Sequence, residues 1–222
     1  MPRQHRRRCR GVLCSRSASD PGLLKLRVIL KDHHPAALGC ANVSGNLVSI
    51  IIGYDAVTLR EKVDLRAAGD RLTELGELRS LSALNEKVAL LRLLGWLDEA
   101  MEIANTAVRQ ARFTGDRQEL AASRIRRAQV LQFQGKLDEA ALELGHCINE
   151  SEAHEWSGVA ASARENRGKV HFELGDFDTA LADLTAAVSL RERDGASADE
   201  LESSLIAVAV VESFLEERNQ AE

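Results

Sequence analysis

The chain has 222 residues and a net charge of −5, enough for one sizeable domain or two small ones. Residues 1–19 hold Arg3, Arg6, Arg7, Arg8, Arg10 and Arg16 and no acid, so a +6 tip precedes a −11 body. The four cysteines, Cys9, Cys14, Cys40 and Cys147, do not make a disulfide framework, and the apolar run Leu47-Val48-Ser49-Ile50-Ile51-Ile52 is far too short to span a bilayer. These features argue against a secreted disulfide scaffold and a membrane protein, and the expected location is the reducing cytoplasm.

In chain order, residues 1–20 read as a disordered, Arg-rich tip. A basic arm touching nucleic acid or anionic membrane is the competing reading; a transit peptide is disfavoured, because Pro, Gly and clustered Arg spoil an amphipathic helix. Leu23–Leu30 and Asn46–Tyr54 are β-prone stretches. Composition changes abruptly near Asp55, and residues 1–56 together read as a disordered or non-native N-terminal extension. Residues 57–79 are expected to form short helices, over 57–68 and 71–78, that cap the helical body. No proline occurs after Pro35, which suits a nearly all-helical body. Helix pairs are expected at 80–94 with 97–112, 117–134 with 137–152, and 156–174 with 177–191, followed by a single capping helix at 198–217. Apolar residues keep helical spacing there, as in Ala121, Ile125, Ala128 and Leu131.

The repeat is visible as a motif. Gly95-Trp96-Leu97-Asp98-Glu99-Ala100 returns 40 residues later as Gly135-Lys136-Leu137-Asp138-Glu139-Ala140, and again as Gly175-Asp176-Phe177-Asp178-Thr179-Ala180. The glycine can end one helix in the left-handed conformation, the large apolar residue packs back over the turn, and the acids favour the positive end of the next helix. The alanine lets two helices approach closely. Fixed spacing without insertion marks a stacked repeat architecture.

These turns, with small residues at Ala128 and Gly168 in the first helix of a pair and at Ala100, Ala104, Ala107, Ala140, Cys147, Ala180 and Ala187 in the second, resemble the tetratricopeptide repeat family over residues 80–217, with Val88, Leu144 and Leu184 departing from the small-residue pattern. The resemblance implies an all-α fold, a right-handed solenoid of three helix pairs with a C-terminal capping helix, residues 80–222 forming the repeat domain. The family's usual period is 34 residues with Pro after the second helix; this chain has a 40-residue period with Arg112, Glu152 and Glu192 there. It is similar to the longer-helix variants of bacterial regulators and adaptors.

The resemblance further implies a concave groove lined by the first helix of each pair, which binds a peptide, a helix or another domain. Mapped here, the inward positions include Asn85, Ala89, Arg92 and Leu93, then Ile125, Arg126, Gln129, Gln132 and Phe133, then Ser162, Glu165, Asn166, Lys169, Phe172 and Glu173. The candidate partner-binding set is Asn85, Arg92, Arg126, Gln129, Phe133, Asn166, Lys169 and Phe172, suited to an acidic segment with an apolar anchor. The competing reading makes these the ordinary solvated faces of their helices.

Other chemistry is thinly represented. Cys9, Cys14, His33, His34 and Cys40 lack zinc-finger spacing, and His146 and Cys147, adjacent on a helix, point about 100° apart. Cys147 stands where a packing Ala is expected and reads as a small buried hydrophobe. No P-loop, Rossmann fingerprint, serine elbow or HExxH is present, and the Asp-Glu pairs at 98–99 and 138–139 recur at helix starts, where dipole complementarity accounts for them. The expectation is a non-enzymatic protein-interaction module with no cofactor, no metal and no membrane or nucleic-acid role. The alternatives are a homodimer through apolar Leu205, Ile206, Val208 and Val210 of the last helix, or a regulatory subunit of a bacterial transcription or signalling system.

Overall fold

The computed structural model describes residues 50–55, 57–114, 116–196 and 198–221. The chain divides into two compact units, 1–34 and 35–222, and every described residue belongs to the second. The expectations for residues 1–20 and for Leu23–Leu30 lie outside the described residues.

The elements run β1 (Ile51–Tyr54), β2 (Glu61–Val63), α1 (Leu65–Leu75), α2 (Leu81–Leu93), α3 (Leu97–Thr114), α4 (Arg117–Phe133), α5 (Leu137–Ala153), α6 (Ser157–Leu174), α7 (Phe177–Arg193) and α8 (Ala198–Ala221). Helices α2 to α7 make three antiparallel pairs, each helix packing on the next. The first helices of successive pairs, α2, α4 and α6, also touch one another. They therefore form one continuous face, and α8 closes the stack against α7.

The repeated glycines set the corners. Gly95, Gly135 and Gly175 have φ of 80°, 76° and 79°, a left-handed conformation that a residue with a Cβ adopts at a cost. At each corner two amides turn back onto the helix just ended. Trp96 N–H donates to Leu91 O at 2.9 Å and Gly95 N–H to Arg92 O at 3.1 Å, and the pairs Lys136–Leu131 with Gly135–Gln132 and Asp176–His171 with Gly175–Phe172 repeat the arrangement. This is the six-to-one and five-to-two bonding of a Schellman cap. The next helix starts with Asp98 and Glu99, Asp138 and Glu139, or Asp178 in its first turn.

Within each pair the packing volumes trade off. Ala100, Ala140 and Ala180 are fully buried where the helices cross. One turn further on, Val88 shares a cluster with Ala104, Ala128 with Leu144, and Gly168 lies against Leu184. Where the second helix carries Leu the first carries Ala or Gly, and where it carries Ala the first carries Val, which keeps the interior close-packed.

The segment before the repeats differs from its expected form. The sequence predicts helix over residues 57–68, but the helix begins only at Leu65. Asp55 Oδ1 accepts the amides of Val57 and Thr58 and the Thr58 hydroxyl, closing a turn, and β2 then pairs antiparallel with β1. β-branched Val63 suits the strand, and Asp64, accepting from the amides of Arg66 and Ala67, is the cap that starts α1. A single helix, Leu65–Leu75, replaces the two short ones, and ordered structure begins before residue 56. Ile50 is buried among Ala68, Leu75, Ala89 and Leu90.

Candidate functional site

Helical periodicity puts three sets of equivalent residues on the face of α2, α4 and α6, and the structure divides seven of the eight candidates between two regions of it. Toward the middle of the helices, Gln129 Nε2 donates to Asn166 Oδ1 at 2.8 Å, and Asn166 Nδ2 donates to Ser162 O at 2.8 Å. Arg126, one turn before Gln129, donates to Ala122 O at 3.2 Å, and burial pulls its guanidinium down to about 10. Asn85 is 9% exposed, and its Oδ1 is buried without a hydrogen-bond donor. This region presents amides and one desolvated cation.

Toward the C-terminal ends of the same helices, the β1–β2 hairpin covers the face. Glu61 accepts two hydrogen bonds from Arg92, at 3.0 and 3.1 Å. Arg60 donates two to Glu173, at 2.9 and 3.3 Å, and Gln132 Nε2 donates to the same carboxylate at 2.9 Å. The Phe133 ring lies between two guanidinium groups, with Arg60 4.7 Å and Arg92 4.6 Å from its centroid, a cation–π arrangement that gains strength where water is excluded. Lys169 holds Glu165 at 2.7 Å and sits 5.5 Å from the Tyr54 ring. Burial pushes the Glu61 carboxyl up, but the charge and hydrogen bonds of Arg92, with the charge of Lys169, outweigh it and hold the group at about 2.

Three of the expected inward residues belong to core clusters instead, Ala89 among them, packed with Ile50 and Leu90. Phe172, 7% exposed, packs in the cluster of Leu184, Val210 and Val211, with Phe214 edge-on at 5.1 Å. Its counterparts one and two periods back, Gln132 and Arg92, carry polar contacts on the face; in the last unit α8 covers this position, so an aromatic fills it. Ile125 is likewise buried, among Leu131, Leu144 and Ile148. Of Leu205, Ile206, Val208 and Val210 on α8, Val210 is buried and Ile206 and Val208 pack against the same cluster, leaving Leu205 49% exposed.

Sequence reasoning missed the hairpin's contribution, Leu59, Arg60 and Glu61, because residues 57–68 read as helix. It also missed a repeated ion cluster between the helices of a pair. Arg124 and Arg127 converge on Glu143, and Arg164 and Arg167 converge on Asp183, 2% exposed, at 3.0 and 2.6 Å. All three positions recur at the repeat period, and that was the available signal. Cys147 is fully buried as expected, and burial pushes its thiol up to about 11. Among the described residues no helix is long and apolar enough to cross a membrane.

The tetratricopeptide repeat family model matches residues 161–194, which cover nearly all of α6 and α7. The 40-residue period and the shared corner geometry carry a similar two-helix unit back through the two preceding pairs, and the fold is a stack of three such pairs. The fold is similar to the crystal structure of the apo form of RapI, with a TM-score of 0.53 at 17% identity over 71% of this chain and 58% of that one. The likeness is one of fold, and this chain spans little more than half of RapI. A second structure, BtubC (BKLC) from P. vanneervenii, gives a TM-score of 0.46 at 16% identity, covering 70% of this chain and 75% of that one. No curated protein matches the sequence.

Proposed function

We propose that this chain is a non-enzymatic protein-interaction module, and that a segment of a partner protein binds across α2, α4 and α6. Helical stacks of this type generate extended binding surfaces from the same helix of every repeat. What carries the reading is that the face already holds a stretch of polypeptide by its side chains: Glu61 on Arg92, and Arg60 on Glu173 and Phe133. The same chemistry continues along the face in the region of Asn85, Arg126, Gln129 and Asn166, with Phe133 and Lys169 at its border. A desolvated guanidinium beside amides suits a carboxylate-bearing segment, with the amides meeting backbone groups. The partner segment accordingly carries at least one carboxylate.

The test is affinity capture with the full chain and with the double variant Arg126→Gln/Gln129→Ala. Partners held by the parent chain should be lost from the variant while circular dichroism stays unchanged. Equal capture by a folded variant overturns the assignment.

A further inference from the structure

The hairpin meets the groove with three consecutive residues, and each reaches a different part of the stack. Leu59, 3% exposed, is buried with Phe172, Leu184 and Val210 at the α8 end. Arg60 bonds Glu173 of α6 and stacks on Phe133 of α4. Glu61 bonds Arg92 of α2. An aliphatic plug, a guanidinium and a carboxylate in succession thus cross all three repeats, which is how a short linear segment of another protein would be read by such a face.

The attachment is not secured by the hairpin itself. Its pairing comprises Ile51 with Val63, Gly53 with Lys62 and Tyr54 with Glu61, interrupted by a bulge, and an isolated two-stranded ribbon is marginal in water. Leu59 has φ of 56°, a left-handed conformation unfavourable for a residue with a branched side chain. That conformation is held by burial of the side chain together with the turn, in which Leu59 N–H donates to Asp55 O at 2.9 Å. The hairpin is held by side-chain anchors in the groove rather than by a sheet.

We propose that residues 50–63 are a resident ligand of the groove, and that the incoming partner carries an aliphatic–basic–acidic triplet matching Leu59-Arg60-Glu61 and displaces them. This rests on the reading of the face as a protein-binding surface and names its partner's recognition element and its regulation. The tethered hairpin competes at an effective concentration on the order of millimolar. The apparent affinity for a segment in trans is reduced by the fraction of molecules in which the hairpin is open.

The experiment uses the full chain and a fluorescein-labelled synthetic peptide with the sequence of residues 57–64. In fluorescence anisotropy the parent chain should bind it weakly, and the variant Leu59→Ser/Arg60→Ala/Glu61→Gln, whose groove residues are intact, about tenfold more tightly or better. Adding Arg92→Met to that variant should abolish the gain. Hydrogen exchange on the parent chain supplies the second measurement. Amides of residues 53–63 should exchange at least about a hundredfold faster than those of α4, through local opening, and faster still with saturating peptide. Equal binding by parent and triple variant, or hairpin amides protected as strongly as those of α4, overturns the proposal. A partner lost with Arg126→Gln/Gln129→Ala but captured equally by parent and triple variant would remove the resident-ligand inference and leave the binding face standing. Peptide exchange without any partner dependent on Arg126 would do the reverse.

Discussion

Glu61 on β2 and Arg92 on α2, 31 residues apart, join the hairpin to the first repeat through two hydrogen bonds, with side chains 13% and 5% exposed. The Glu61 carboxyl titrates at about 2 rather than 4.5. A carboxylate depressed in the folded state contributes stability above its unfolded value and loses it as pH falls toward the folded one. Hairpin protection should therefore be full above about pH 4.5 and lost between there and pH 2, followed by hydrogen exchange at residues 53–63. Glu165, also held at about 2, where the charges and hydrogen bonds of Lys169 and Arg191 outweigh burial, titrates in the same window and ties α6 to α7. Glu61→Gln separates them: it should remove the acid sensitivity of the hairpin and leave that of the helices. It should lower stability by about 3 kcal/mol, because Arg92 remains buried without its partner.

A Cβ added to Gly168 would stand 2.8 Å from Leu184 Cγ and 3.1 Å from Ala180 O. Gly168→Ala gains about 1 kcal/mol of helix propensity but overpacks the crossing, at about 1–3 kcal/mol. The expected net loss is about 1 kcal/mol in urea unfolding. In a double-mutant cycle with Leu184→Ala the glycine substitution should turn neutral or stabilising, as Val88 beside Ala104 in the first repeat already implies.

Asp183 accepts from both Arg164 and Arg167 while itself only 2% exposed. Removing one member of a buried ion cluster leaves uncompensated charge. Asp183→Ala should cost about 3 kcal/mol, whereas Arg117→Ala, in a pair whose arginine is 60% exposed, should cost under about 1 kcal/mol. Thermal unfolding of the two variants compares them directly.

Glu155 has φ of 57° at the end of α5, where Trp156 N–H donates to Ser151 O and Glu155 N–H to Glu152 O. One period later the same corner carries Gly195, with φ of 73°. The left-handed penalty of about 1–2 kcal/mol exceeds the entropy that glycine adds to the unfolded chain, about 0.5–1 kcal/mol. Glu155→Gly should therefore stabilise the protein by about 0.5–1 kcal/mol, read as a rise in Tm.

The sequence by itself determined the stack. Gly95, Gly135 and Gly175 are local determinants: each needs a left-handed corner wherever it stands, and equal spacing turns three identical corners into a repeat. The first helix of each pair could be placed on one face for the same reason, since the 3.6-residue period carries Arg126, Gln129 and Phe133 to one side together. Only the tertiary structure decided what covers that face. Phe172 sits at the position of Arg92 and Gln132, yet α8 buries it, and no periodicity within α6 records the neighbour. Residues 57–63 carry too weak a helical or strand signal to choose for themselves. Their turn-and-strand form is fixed by Leu59, Arg60 and Glu61 finding Phe172, Glu173 and Arg92, contacts between residues 31 to 113 positions apart that depend on the whole stack being assembled.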